Sequence, residues 1–327
     1  MRIAVTGSIA TDYLMTFNGR FADQLLPDQL HRLSLSFLAD ELDRRRGGVA
    51  ANIAYGMAQL GARPVLVGAV GSDWGDYESW LSRHGVDTGS VHVSDLRHTA
   101  RFFCTTDLDQ CQIATFYPGA MTESRDIELA PIAARVGGLD LVVVAPNDPE
   151  AMRRHTEEAR ALGIPFVADP SQQLSSLDGD QIKALVVGAE LLVANDYEAA
   201  LIESKTGWSA ADVLANVGTR ITTLGAKGCV IERAGEVAIE VPVVPEDRKA
   251  DPTGVGDAFR AGFLASRAWG LDMERSAQVG TLLATYVLET VGTQEYAVER
   301  TPFLDRLAGT YGDAARDDVA PHLATAG

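Results

Sequence analysis

One stretch, Asp251-Pro252-Thr253-Gly254-Val255-Gly256-Asp257-Ala258-Phe259, constrains this chain more than any other. Two glycines flank a single residue and lead into a carboxylate, after which Ala258, Phe259, Ala261, Phe263 and Leu264 carry the apolar spacing of a helix. The chain must pass here from a loop into a helix N-terminus. The first N–H groups of a helix have no acceptor within it, and with the aligned peptide dipoles they favour an anion or the charge that develops on a transferred phosphoryl group. Gly254 and Gly256 allow close backbone approach, and the Val255 N–H can add to the hole. Asp257, in the first turn, is placed to take a proton from a hydroxyl brought to the same spot. An anion hole beside a base is the layout of phosphoryl transfer. The same residues also suit an ordinary turn followed by a carboxylate that the helix dipole favours.

A second glycine stretch, Gly47-Gly48-Val49-Ala50-Ala51-Asn52-Ile53-Ala54, precedes Gly61 and Gly71. Together the two stretches resemble the paired signatures of the ribokinase/PfkB family of carbohydrate and nucleoside kinases, in the family's order. Val255 departs from the Ala, Ser or Gly common there, and its N–H still donates. The resemblance covers nearly the whole chain. It implies a ribokinase-like α/β fold, a three-layer αβα domain around a mainly parallel sheet, with a small β-sheet lid. On that pattern residues 1–12, 47–97 and 119–327 form the large nucleotide-binding and catalytic domain, and 13–46 and 98–118 the lid.

Composition narrows the partner. The chain has 327 residues, 46% hydrophobic and 22% charged, which is ordinary for a globular protein. A formal charge of −17 offers no basic field to nucleic acid or an anionic membrane, so a small substrate is expected. Cys104, Cys111 and Cys229 lack metal-ligand spacing and suit a reducing compartment. No apolar run could span a bilayer, and a cytoplasmic location is expected.

The chain reads as strand Ile3 to Thr6, then Gly7-Ser8, which puts Ser8 and Asp12 just beyond a strand end, where open α/β sheets bind ligands. Asp12 would also serve as a turn cap. Residues 13 to 46 break the α/β rhythm: 17–21 resembles a hairpin, 27–31 a turn or short helix, and 34–37 alternates. Ile53, Met57 and Leu60 give the helix after Gly48, and a strand from Pro64 to Val70 precedes a helix from Ser72 to His84. Residues 99–106 and 112–117 make a hairpin around a polar loop. From 139 onward strands (139–145, 164–168, 191–194, 220–224) alternate with helices (149–162, 178–188, 196–205), which is the pattern of a parallel sheet. Strands 229–233 and 236–241 pair as a hairpin, and helices 256–269, 272–289 and 302–311 close the chain, with 312–327 expected to fray.

Asn195-Asp196-Tyr197-Glu198 follows a strand end and could be a helix cap with its first-turn acid. The resemblance implies instead that Asn195 meets nucleotide and Glu198 orients Mg²⁺ through water. Thr223, Gly225, Lys227 and Gly228 form either a plain turn or, on the family's pattern, part of the ATP site with Gly256. Asp12, Gly48 and Asn52, with Ser8, would hold the hydroxyls of a pentose. Phe102 and Phe116, on facing lid strands, could sandwich a flat ring or fill the lid core, and Gln172 and Gln173 could read a base edge.

The runs 116–121, 169–174 and 291–295 resemble adenosine kinases of the actinobacterial type. That similarity implies transfer of the ATP γ-phosphoryl to the 5′-hydroxyl of adenosine, with Asp257 as base, the 254–257 amides as anion hole, and potassium beside Asp251, Thr253 and the Gly292-Thr293 turn. A ribokinase- or fructokinase-like sugar kinase would share these parts, and a nucleoside-binding regulator would share the pocket alone. The lid segments are too small to bury both faces of a sheet, so a homodimer joined through the lid is expected.

Overall fold

The computed structural model describes residues 1–24 and 36–323. Short runs rich in Val, Ile and Leu form most of a 9-stranded sheet in the order β13-β12-β11-β10-β9-β8-β1-β4-β5. These are β1 (Ile3–Thr6), β4 (Val65–Gly71), β5 (Asp87–Ser94), β8 (Leu141–Val144), β9 (Phe166–Ala168), β10 (Leu191–Asn195), β11 (Thr219–Thr223), β12 (Cys229–Glu232) and β13 (Ile239–Val241). From β5 to β11 every neighbour is parallel, while β12 and β13 pair antiparallel at one edge. β4 is buried along its whole length, as a strand covered on both faces must be.

Two apolar cores explain that covering. On one face the helices Val49–Gln59, Val255–Ala268, Met273–Leu288 and Arg300–Tyr311 pack with residues such as Ile53, Phe263, Leu282 and Phe303. On the other, Leu129–Val136, Pro149–Ala161, Gly179–Val186 and Asp196–Thr206 contribute Ile132, Met152, Ile182 and Ile202. This is the three-layer ribokinase-like architecture. The chain runs outward from β1 to β4 and β5, then returns to β8 on the other side. β1 and β8 therefore make the switch point, and ligands of open α/β sheets bind beyond strand ends there.

The second sheet has 4 strands in the order β3-β2-β6-β7: β2 (Ala10–Thr16), β3 (Glu41–Gly47), β6 (Ala100–Thr106) and β7 (Gln112–Tyr117). Residues directly opposite one another across strands share a face. Arg45, Asp12, Phe102 and Phe116 therefore form one row, and Arg44, Tyr13, Phe103 and Thr115 a row on the reverse face.

Several elements differ from the sequence reading. Residues 17–21 are no hairpin: β2 ends at Thr16, and the Phe17, Phe21 and Phe37 rings gather in a cluster, with Phe17 and Phe21 each within 5.2 Å of Phe37. The expected 27–31 turn and the first half of the 34–37 alternation lie outside the described residues. β5 escaped notice because an edge strand reading Asp-Thr-Gly-Ser-Val-His-Val-Ser has little apolar signal. The helices Leu129–Val136 and Ala210–Asn216 are short additions to the layer opposite the Val255–Ala268 helix. Residues 313–319 are helical, held by the buried Ala315 and Val319.

Candidate active site

The anion turn begins at Gly254, whose φ of 78° is a left-handed conformation that costs glycine little. A Cβ there would also stand 2.7 Å from Thr293 Cγ2. Among the described residues no side chain caps the helix. Val255 N–H makes only a 3.4 Å contact with the Pro252 carbonyl, and among the described residues Gly256 and Asp257 N–H meet no backbone acceptor. The donors remain available to a ligand. Asp251 anchors the turn, accepting the Thr253 N–H at 2.9 Å and the Gly292 N–H at 3.2 Å.

Asp257 accepts a hydrogen bond from Asn52 Nδ2 at 2.9 Å. Burial pushes its carboxyl up to about 6; Arg260 and the Asn52 bond restrain the rise, and Glu198 adds to it. A carboxyl poised there can take a proton near neutrality. Asp12 sits in the middle of β2, two residues inside a strand that starts at Ala10. Its carboxyl is also pushed up to about 6, first by burial and then by Asp251 and Asp257. Gly47 is required beside it, since a Cβ would fall 2.4 Å from an Asp12 carboxylate oxygen.

The other expected residues divide by what their side chains already hold. Ser8 Oγ accepts the Val49 N–H at 2.9 Å and so fixes the start of the helix bearing Asn52. Gly48 has φ 94°, and a Cβ would stand 2.6 Å from the Ser8 carbonyl. Phe102 is half-buried and Phe116 is 48% exposed, both in the Asp12 row. Gln173 commits its amide to the Asn147 carbonyl at 2.7 Å and receives Ser176, while Gln172 beside it is exposed.

Asn195 and Glu198 form a capping box: Asn195 Oδ1 accepts the Glu198 N–H, and a Glu198 oxygen accepts the Asn195 N–H, each at 2.8 Å. The second Glu198 oxygen takes the Ser171 hydroxyl at 3.1 Å. Thr223 ends β11 opposite Asn195, and Gly225 and Lys227 bound a single 3-10 turn that Gly228 follows, with Lys227 exposed. At Gly228 a Cβ would lie 1.9 Å from the Val241 carbonyl, which makes that glycine a requirement of the fold.

Among the described residues no cluster of three or more His, Cys, Asp or Glu could hold a metal ion unaided. Glu198, with lone pairs left beyond its two bonds, fits an acid that would meet Mg²⁺ through water. Sequence reasoning missed Arg260, Asp169 and Gln294 as parts of the site. Arg260 carried a signal: a charge three residues past Asp257 in an otherwise apolar run.

With this geometry in place, the comparison with known proteins decides the family. The pfkB family carbohydrate kinase profile matches residues 15–300. This chain belongs to that family. A nucleoside kinase of Methanocaldococcus jannaschii is 30% identical over 251 residues, 76% of this chain and 80% of its own. The structure of Burkholderia thailandensis nucleoside kinase in complex with inosine aligns with a TM-score of 0.83 at 34% identity, over 95% of this chain and 98% of its own. Ribokinase from Thermotoga maritima aligns with a TM-score of 0.76 at 20% identity, over 94% and 99%, a likeness of fold. No helix among the described residues is long and apolar enough to cross a membrane.

Proposed function

We propose that this family member is an ATP-dependent nucleoside kinase that phosphorylates the 5′-hydroxyl of a purine nucleoside, adenosine being the expected acceptor. The observation that carries the reading is Asp257, half-buried beside the Gly256 and Asp257 N–H groups, which meet no backbone acceptor among the described residues. Asp12 and Asn52 hold the ribose hydroxyls, and Phe102 and Phe116 flank the base. Asp257 takes the 5′-hydroxyl proton as that oxygen attacks the γ-phosphorus and ADP departs. The Gly254–Asp257 amides face the charge that grows on the transferred group. Glu198 would orient a water of Mg²⁺, which when bound would supply charge neutralisation to the phosphates. The 4-stranded sheet excludes bulk water from the reacting group.

The inosine complex of the Burkholderia protein and its ADP-inosine complex, 36% identical, support a purine nucleoside acceptor and ATP as donor. The reading also includes potassium beside the Asp251–Gly292 contact and a homodimer formed through the lid. An acceptor screen with Mg-ATP over adenosine, inosine, guanosine, cytidine, ribose and fructose tests it. Phosphorylation of adenosine well above the sugars is expected; a preference for ribose or fructose overturns the nucleoside assignment, and no turnover with any acceptor overturns the kinase. Omitting potassium should lower turnover.

A further inference from the structure

Beneath the anion turn lies a guanidinium that the catalytic scheme leaves unused. Arg260 is one turn beyond Asp257 on the Val255–Ala268 helix, only 8% exposed and in a run otherwise of Ala, Phe, Gly and Leu. It donates to Asp169 at 2.5 Å, a carboxylate with no exposed surface just past β9. A Cβ on Gly256 would stand 2.9 Å from an Arg260 terminal nitrogen, so the cation lies directly under the donors of the turn.

The pairing is not a closed one. Arg260 Nε and the second Asp169 oxygen are buried without a partner among the described residues. A buried ion pair seldom stabilises more than apolar residues of the same size, and incomplete pairing makes it costlier. Stability alone does not account for this arginine. Burial disfavours its charge, and the surrounding Asp169, Asp257 and Glu198 outweigh that, leaving its pKa raised.

We propose that Arg260 is a positioning residue for phosphoryl transfer: it holds the Asp257 carboxylate in its proton-accepting form and, through Asp169, fixes the catalytic helix to the end of β9. The inference rests on the kinase reading above. The groups around Asp257 come from every side. Asn52 comes from the Val49–Gln59 helix, Asp12, with Asp251 near it, from β2, and Glu198 from the Asp196–Thr206 helix. Asp169 lies past β9, Tyr77 on the Gly75–Arg83 helix, and Tyr296 on the chain after the Met273–Leu288 helix. Arg260 is the cation among them. Without it, burial and Glu198 would leave Asp257 protonated to higher pH, and the base would be lost where it is needed.

The test is the pH dependence of kcat/KM in the parent, Arg260→Met, Arg260→Lys and Asp169→Asn. The methionine variant should move the acid limb up by about one pH unit or more, the usual effect of losing a nearby opposite charge. The lysine variant should leave the limb nearer the parent's. Asp169→Asn should move it down, because Arg260 then acts on Asp257 with less competition. A packing role would lower rates in both without opposite displacement, so limbs that stay put or move together overturn the proposal. Should the methionine variant not fold, Asp169→Asn decides alone: a limb displaced downward supports the proposal, and one that stays put or moves up overturns it. Carbon-13 NMR titration of the Asp257 carboxyl reads the same shift without turnover, so an inactive parent would overturn the kinase reading while this inference is still judged.

Discussion

Asn52 donates its side-chain amide to an Asp257 carboxylate oxygen at 2.9 Å, across 205 positions of sequence. Its own oxygen lies 2.9 Å from both the Thr293 hydroxyl and the Gln294 amide. Gln294 also donates to Tyr77 Oη at 2.6 Å, and that hydroxyl donates to the Gly47 carbonyl at 2.9 Å. The base is thus tied to the point where β3 enters the Val49–Gln59 helix. Asn52, expected only as a ribose ligand, has one N–H committed to Asp257, which leaves one for substrate.

Replacing Asp257 with Asn keeps the shape and removes the base. Turnover should fall roughly 10²–10⁴-fold, the usual worth of general-base catalysis, while nucleoside affinity by calorimetry changes little. In the parent, kcat/KM should decline as pH falls through about 6, where the Asp257 carboxyl takes its proton. A turnover within threefold of the parent removes Asp257 from the mechanism.

The same substitution should stabilise the fold. A carboxyl raised from 3.8 to about 6 binds its proton more tightly folded than unfolded. Its contribution is therefore most favourable below 3.8 and is lost as pH rises to about 6. Holding the ionised form costs on the order of 1–3 kcal/mol at neutral pH. Asp257→Asn should raise Tm at pH 7.5 and lose that advantage near pH 4. An equal or lower Tm at pH 7.5 contradicts the assigned direction.

Local pattern made the frame legible. The run of β8, the capping box at Asn195 and Glu198, and the glycines at 48 and 254 each declare themselves within a few residues, because a strand, a cap or a left-handed turn is a local demand. Asp169 with Arg260, and Asn52 with Thr293 and Gln294, declare nothing alone, since their meaning lies in contacts between distant elements. Gln173 shows what a residue type alone leaves unsaid: one of its amide hydrogens goes to the Asn147 carbonyl.

Phe102 and Phe116 are register partners on β6 and β7, in the row that contains Asp12. If the rings flank a base, Phe102→Ala should weaken adenosine binding by about 0.5–1.5 kcal/mol beyond the loss of apolar area, the worth of an aromatic pair. Calorimetry with adenosine and with ribose separates the two possibilities. Equal losses for both ligands, or lower stability with unchanged adenosine affinity, would assign the rings to packing alone.

The reverse face of the same sheet sets the last test. Tyr13, Met15, Leu42, Phe103 and Ile113 alternate away from Asp12, with Tyr13 and Phe103 stacked at 5.1 Å, Leu42 62% exposed and Ile113 41% exposed. The sheet also ends in two edges, β3 and β7, whose outer backbone groups have no neighbouring strand among the described residues. An apolar face bounded by open edges invites association, and a second copy related by a two-fold axis would cover both. Phe37 packs with Phe17 and Phe21, so its replacement would test the lid's own packing. Leu42→Glu and Ile113→Glu are the proper probes, since a carboxylate in a two-fold contact meets its own copy in a dry interface. Light scattering at micromolar concentration should give twice the chain mass of 34.9 kDa for the parent and the single mass for either variant. A parent of single mass, or a dimer that survives both substitutions, would place any association elsewhere on the molecule.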